Sequence, residues 1–301
     1  MPLDFNFEEI LHTEFGVGRE VNGVESFSLL PVDAEVQTAL REMAESTWNT
    51  ICGFEGEGRV YEPSEKYAPQ EYVFLPIESV LAENLRLLHQ ANDIEFVAGA
   101  LTPPSALFCY FARFADRRGR RLTAVRRATQ FKGIVKSRLI QFMTDALKIV
   151  ADTTFRLDHD FDLLVDSAYV HILRPSGFEA IGGLQDAICS AVPANIDTIS
   201  AQMEFVDFTR IGAYAAAHPR AARHLASIRS QGETENISKP LLLNACATHG
   251  IGLEEVNEKI SVLSGFEMAF LHVLDRRMYE LELVEGAPER YRAASRQRVS
   301  D

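Results

Sequence analysis

The sequence has few cysteines and no long apolar run, and both absences narrow the classes of protein it can belong to. Its four cysteines, Cys52, Cys109, Cys189 and Cys246, stand singly, with no Cys-x-x-Cys pair. This spacing argues against a disulfide framework and indicates reduced thiols in a reducing compartment. No uncharged apolar stretch reaches the roughly 18 residues that a membrane helix needs. The first residues, MPLDFNFEEILHTEF, lack the basic and apolar regions of a secretory signal, so we expect a cytoplasmic chain.

Recognisable catalytic patterns are also missing. The histidines form no His-x-His or His-Glu-x-x-His pattern, and no serine stands in a Gly-x-Ser-x-Gly turn. The glycine pair Gly16 and Gly18 lacks the following lysine and the spacing of a phosphate-binding loop. We therefore expect no catalytic residue, no cofactor and no bound metal.

Charge is unevenly distributed along the chain. The formal net charge is −13, which argues against uniform attraction to nucleic acid. Residues 113–138, here called the basic segment, nevertheless carry ten arginines and lysines against the single acid Asp116, a formal charge of +9. Such asymmetry predicts a localised anion-binding surface. The alternative is that these cations pair with the chain's own excess of acids.

The basic segment begins in a predicted β-hairpin. Ala106–Ala115 is rich in aromatic residues and predicts one strand, DRRG at 116–119 predicts the turn, and Arg120–Thr129 predicts the return strand. Both faces of the return strand mix arginines with small or apolar residues, so we expect the arginines to project from its ends or from a solvent-facing side. Gln130–Phe142 follows with an apolar stripe at helical spacing and predicts a helix.

The remaining patterns predict an α+β fold. The N-terminal half contains the hairpin, an antiparallel sheet, a helix capped by Asp33 and a helix opened by Pro76. The C-terminal half is mostly helical and ends in a short strand-helix-strand unit. We expect an N-terminal α/β region over 1–105, the basic hairpin and helix over 106–150, an α+β domain over 151–285 and a disordered tail over 286–301.

A cluster of aspartates follows the basic segment. Asp158, Asp160 and Asp162 lie two residues apart, so on a strand their carboxylates could converge on a divalent cation, as in a magnesium-dependent nuclease. No lysine follows in the next predicted strand, however, and Asp166 with Ser167 is typical of a hairpin turn. A structural role at strand ends and in a turn is the favoured interpretation.

Four segments carry a family pattern in their order and character. They read ARFADRRGRRLTAVRRATQFKGIVKSRLIQF, FRLDHDFDLLVDSAYVHILRPSGFEAI, HPRAARHLASIR and ISVLSGFEMAFLHVLDRRMYELEL. Together they resemble the KwaB family of the Kiwa antiphage defence system over about residues 106 to 284. The resemblance implies a cytoplasmic DNA-binding protein that works with an integral membrane partner, KwaA, in a complex at the inner membrane. It brings no catalytic residues with it.

Charge and resemblance together favour a non-catalytic subunit of an oligomeric antiphage complex that engages phage DNA and blocks its replication and expression. The expected partners are double-stranded DNA, a KwaA-like integral membrane protein and a second copy of the chain. The phosphate contacts predicted from charge alone are Arg120, Arg121, Arg126, Arg127, Lys132, Lys136 and Arg138. Two alternatives stay open: the magnesium-dependent nuclease, and an assembly adaptor whose arginines dock an acidic surface of a membrane partner.

Overall fold

In the computed structural model the chain folds into two compact units. Unit 1 comprises Met1–Tyr61 and Tyr67–Gly183, and unit 2 comprises Glu62–Lys66 and Leu184–Asp301. The structure describes residues 3, 5–54, 58–68, 71–97, 106–128, 157–232, 234–282 and 288–293, with the backbone alone of 140–143 and 146–149. Both units contain helices and strands, which confirms the predicted mixed α+β class.

Unit 1 is built around one large sheet. Its elements are β1 (Ile10–Val21), β2 (Val24–Leu30), α1 (Ala34–Cys52), β3 (Arg59–Val60), β4 (Val73–Pro76), α2 (Glu83–Gln90), β5 (Leu107–Asp116), β6 (Arg121–Arg127), β7 (Ile140–Met143), β8 (Ala146–Ile149), β9 (Leu163–Val165), β10 (Tyr169–Ile172) and α3 (Pro175–Ile181). The sheet has eight strands in the order β2-β1-β5-β6-β9-β10-β4-β3. Neighbouring strands are antiparallel, except that β3 and β4 are parallel.

The predicted hairpin is present as β5 and β6, which pair from Cys109↔Arg127 to Ala115↔Arg121. Strand β5 also pairs with β1, and β6 also pairs with β9, so the hairpin lies inside the sheet. The middle of β6, residues 122–125, is buried, while Arg121 and Arg127 are exposed. These two arginines therefore project from the ends of the strand, as predicted.

Helix α1 packs its apolar side on one face of this sheet. It begins after Asp33, whose carboxylate accepts the N–H of Val36 at 2.9 Å, which confirms the predicted cap. Leu40, Met43 and Ala44 of α1 are buried against the sheet. The strand residues in the same core cluster are Phe15, Val17, Leu107, Tyr110, Ala112, Phe114, Leu122, Ala124 and Leu164. The apolar residues of β5 and β6 thus fix the hairpin to the rest of unit 1.

The glycine at position 16 of β1 reflects close packing between strands. A Cβ added to Gly16 would lie 2.3 Å from Cζ of Phe111 and 2.6 Å from the carbonyl oxygen of Ser28. Phe111 is fully buried and the Ser28 oxygen is backbone, so neither has room to move aside. Gly16 therefore has a packing role.

We expect Gly16→Ala to lower the free energy of unfolding by about 2 kcal/mol, because the added methyl overpacks the sheet. Urea unfolding measures the change. Gly212→Ala, within helix α6 (Thr209–Ala217), is the matched control. A Cβ at Gly212 would meet only Ile196, at 3.8 Å. There alanine should leave stability unchanged or raise it. A Gly16→Ala protein as stable as the wild type would contradict the close packing.

Unit 2 is mostly helical. Besides α6 its elements are α4 (Gln185–Ser190), α5 (Val192–Gln202), β11 (Val206–Asp207), α7 (Pro219–Gln231), α8 (Lys239–Thr248), β12 (Leu253–Val256), β13 (Lys259–Val262), α9 (Glu267–Leu274), β14 (Met278–Leu281) and β15 (Glu289–Arg292). Helix α7 packs against α4, α5, α6 and α9. It is the central helix of this unit.

The short segment Glu62–Lys66 belongs to unit 2 because it contacts α7. Arg223 of α7 donates Nη1 hydrogen bonds to the carbonyl oxygens of Pro63 and Glu65, both at 2.8 Å. Nζ of Lys66 donates to Oγ of Ser227 at 2.7 Å. These contacts join α7 to residues that precede it by about 160 positions.

Several predicted elements differ from the structure. Pro76 ends β4 instead of opening a helix, and the helical residues begin only at the short 3-10 turn Val80–Ala82. Proline is tolerated there because a strand end needs no ladder hydrogen bond from that position. The predicted helix Gln130–Phe142 is wrong for residues 140–142, which belong to β7 and pair with β8. The first ten residues of that predicted helix, 130–139, lie outside the described residues.

The end of the chain also differs from expectation. Strand, helix and strand are present as β13, α9 and β14, but they do not share one sheet: β13 pairs with β11 and β12, and β14 pairs with β15. Strand β15 lies within the tail predicted to be disordered, and there Tyr291 stacks on Tyr279 with ring centroids 5.4 Å apart. Of the helices that the structure describes, none is long and apolar enough to cross a membrane.

Candidate nucleic-acid interface

The structure places Arg120, Arg121, Arg126 and Arg127 on or beside the hairpin, but in different environments. Arg121 and Arg127 are exposed, whereas Arg120 and Arg126 are half-buried. The other three predicted contacts, Lys132, Lys136 and Arg138, lie outside the described residues. The described part of the predicted surface therefore consists of the four arginines of the hairpin.

The hairpin turn is organised by Asp116. Its side chain is buried and accepts the backbone N–H groups of Arg118 and Arg120 at 2.9 and 3.0 Å, together with Nε of Arg120 at 2.7 Å. Burial raises the pKa of Asp116, but these hydrogen bonds outweigh it and hold the pKa below its ordinary value. Gly119, at φ +76°, supplies the left-handed residue that the turn needs. Asp116 thus stays ionised and fixes Arg120.

Three arginines remain exposed around this turn, and we call them the turn cluster: Arg117, Arg118 and Arg121. The side chain of Arg118 is 71% exposed, and its Nε lies 4.0 Å from Oε2 of Glu9, at the limit of an ion pair. Such an exposed pair contributes little energy and leaves the guanidinium accessible. Arg117 and Arg118 were not among the predicted contacts. The DRRG turn was the signal for them, because the central residues of a tight turn face solvent.

Arg126 has a different role. Its side chain is 15% exposed and donates to Asp158 at 3.1 Å and to Asp162 at 3.0 Å. Asp162 also lies 3.6 Å from Nη1 of Arg174, and its second oxygen accepts the backbone N–H of Arg127 at 2.8 Å. Arg126 therefore pairs with two carboxylates of its own chain. This is the alternative to anion binding that the excess of acids suggested.

The remaining aspartates of the cluster are also paired. Asp160 accepts from Nη2 of Arg174 at 3.0 Å and from Oγ of Ser46 at 3.0 Å. Asp166 accepts the backbone N–H groups of Ala168 and Tyr169, which is the predicted turn chemistry. Within the described residues, no group of three or more His, Cys, Asp or Glu side chains is arranged to hold a metal ion. Asp158, Asp160 and Asp162 thus each pair with an arginine of the same chain.

The model of one protein family, described as Kiwa protein KwaB-like, matches residues 107–283. The chain belongs to this family. No curated protein and no solved structure matches the chain. The KwaB-like match includes the β5–β6 hairpin, the aspartate cluster and helices α7 and α9. Membership supports a role as a component of the Kiwa antiphage defence system and implies partners among the other Kiwa proteins.

A second polar cluster of the KwaB-like chain lies in unit 2, around Asp275. This carboxylate is fully buried and accepts from Nδ1 of His224 at 2.9 Å, from Oγ of Ser227, from Nε2 of Gln231 at 2.7 Å and from Nε of Arg277 at 2.5 Å. Serine, histidine and aspartate are the residue types of a hydrolase triad. Here, however, the histidine and the serine both donate directly to the carboxylate, and Ser227 is only 1% exposed. The geometry is that of a structural network.

Proposed function

We propose that the chain is the DNA-binding, non-catalytic subunit of a Kiwa defence complex that engages phage DNA and blocks its replication and expression. The observation that supports this most directly is the turn cluster, three exposed guanidinium groups around one rigid turn. Arginine matches phosphate oxygens with two parallel hydrogen bonds, and an anchored turn presents such groups at low entropic cost. Membership of the KwaB-like family supports the defence role.

Binding through the turn cluster follows the DNA backbone. Three phosphate contacts would give a salt slope of about −3, and the contacts carry no base sequence information. The remainder of the chain is strongly acidic, so a single patch binds weakly. A homodimer would join two patches on one DNA molecule and raise the affinity without new contacts. A KwaA-like integral membrane protein would recruit this subunit to the inner membrane.

We expect the double variant Arg117→Ala/Arg118→Ala to bind all duplex sequences about tenfold or more weakly, with a salt slope shallower by about 2. Fluorescence anisotropy with labelled duplex DNA at several salt concentrations measures both quantities. Magnesium is included, and the products are run on a gel.

The matched control is Arg210→Ala/Arg220→Ala, which removes the same charge from exposed positions on α6 and α7 of unit 2. Its affinity and slope should stay close to those of the wild type. Equal weakening by both variants would contradict a localised interface at the turn. Cleaved DNA would contradict the non-catalytic role, and wild-type protein that binds no DNA would favour the assembly adaptor.

A further inference from the structure

A pocket of about 140 Å³ lies on the sheet face next to the turn cluster. Its polar lining comes from three neighbouring strands and from the residues that follow α2. His12 and Glu14 belong to β1, Arg113 to β5 and Arg121 to β6, and Asn92 follows α2. Neither the packing of the sheet nor the hairpin turn held by Asp116 depends on this pocket.

The strand register explains how the opening forms. Ala115 of β5 pairs with His12 of β1 on one side and with Arg121 of β6 on the other. Residues directly opposite one another share a face of the sheet, so the small side chain of Ala115 lies between an imidazole and a guanidinium. The outer two Cα atoms are about 10 Å apart by ordinary strand spacing. The gap over Ala115 is therefore flanked by the guanidinium of Arg121 and by the imidazole of His12, whose Nε2 lies 3.3 Å from Oε1 of Glu14.

The next row across the same strands is already neutralised. Glu14 pairs with Arg113 and Arg113 pairs with Thr123 in the register. Arg113, only 11% exposed, donates to the carboxylate of Glu14 and to the carbonyl oxygen of Ala91. The negative charge of Glu14 is thereby offset, and Arg113 is held in place.

Arg121 is left as the accessible cation of the pocket. It is exposed, and no side-chain partner for it occurs in the part of the chain that the structure describes. The hydroxyl of Thr123 lies 3.0 Å from Nδ1 of His89, which fixes its position. A net positive pocket with a small floor, a guanidinium, an imidazole and the amide of Asn92 has the donors that a tetrahedral oxyanion needs.

We infer that this pocket binds one phosphate group, held by Arg121, His12 and Asn92 over Ala115. The inference deepens the proposed function and rests on it for the source of the phosphate, the DNA backbone. Arg121 joins the pocket to the turn cluster, so one DNA strand can contact Arg117 and Arg118 and place its next phosphate in the pocket.

Two variants test the pocket in different ways. Ala115→Leu fills the gap without changing any charge, and Arg121→Ala removes the guanidinium and leaves the gap. Each should lower duplex DNA affinity about tenfold and make the salt slope shallower by about 1. Ala213→Leu, which adds the same side chain at an exposed position of α6 in unit 2, is the control for Ala115→Leu and should bind like the wild type. Circular dichroism checks that each variant is folded.

Inorganic phosphate is the second probe. In amide NMR spectra of the full chain it should shift the signals of Asn92 and Ala115 in the wild type and in Arg117→Ala, but not in Ala115→Leu or Arg121→Ala. Unchanged signals in the wild type, or Ala115→Leu with normal DNA affinity, overturn the pocket. If phosphate shifts these signals while the wild type binds no DNA, the pocket binds free phosphate, and it is the proposed DNA-binding function that is overturned.

Discussion

Replacement of Asp275 by alanine is expected to lower the free energy of unfolding by about 3–5 kcal/mol, the cost of breaking a buried ionic network from one side. The carboxylate accepts hydrogen bonds from His224, Ser227, Gln231 and Arg277, and the alanine variant would leave these donors without their acceptor. Urea unfolding of the full chain measures the loss. Asp197→Ala, at an exposed position of α5, is the control and should stay within about 0.5 kcal/mol of wild type.

The same network predicts the direction of the pH dependence. Burial raises the pKa of Asp275, but the hydrogen bonds from His224, Ser227 and Arg277 outweigh it and hold the pKa well below its ordinary value. The stabilisation is therefore fully present above the pH at which an unfolded aspartate titrates, about 4, and is lost as the pH falls toward the folded pKa. The stability difference between wild type and Asp275→Asn should shrink with acidification. A constant difference down to the lowest measurable pH would show that the charge does not contribute.

Arg126→Ala should also be strongly destabilising, by about 3 kcal/mol. Burial raises the pKa of Asp162, and the N–H of Arg127 and the guanidinium groups of Arg126 and Arg174 act against that rise. Without Arg126 the buried carboxylate of Asp162 keeps only the contacts from Arg127 and Arg174, so its ionised form destabilises the folded state. Unfolding free energy is again the measurement.

A double variant distinguishes a broken pair from a lost contact. Arg126→Met/Asp162→Asn removes both charges with little change in volume and should be more stable than Arg126→Ala alone. Arg127→Ala is the neighbouring control, because its side chain is exposed, and should change stability by less than about 0.5 kcal/mol. If Arg126→Ala were as stable as Arg127→Ala, the ion-pair network would not be stabilising. Because Arg126→Ala is expected to be destabilised, loss of DNA binding by this variant would not by itself identify Arg126 as a phosphate contact.

Local chemistry made several elements predictable. Both ends of helix α7, Pro219 and Gln231, follow from local chemistry: proline suits the first helical position, and Gly232 takes the left-handed conformation, at φ +62°, that ends the helix. The β5–β6 hairpin followed equally well from its aromatic strand and DRRG turn. Strand β1 was not predicted. Gly16 and Gly18 reduce its strand propensity, and their reason, close contact with β2 and β5, exists only in the folded sheet.

The candidate site was only partly predictable for a related reason. A count of charges identifies the basic segment, but it does not show which arginines already have partners. Arg113 pairs with Glu14, which lies 99 positions away, and Arg126 pairs with Asp158 and Asp162 at 32 and 36 positions. Register places these acids beside the hairpin, and register depends on the whole sheet. What could be read locally was the turn, where Asp116 engages Arg120 four residues along.

The chain enters unit 2 twice, first for the five residues Glu62–Lys66 and then from Leu184 onward. Domain boundaries along the gene and in space therefore do not coincide. A fragment that starts at Leu184 lacks the carbonyl acceptors of Arg223 and the ammonium donor to Ser227, both on the central helix. Evolutionary insertions or deletions near Pro63 would consequently act on the helical unit, although the surrounding sequence belongs to the sheet. The two units are thus interlaced along the sequence.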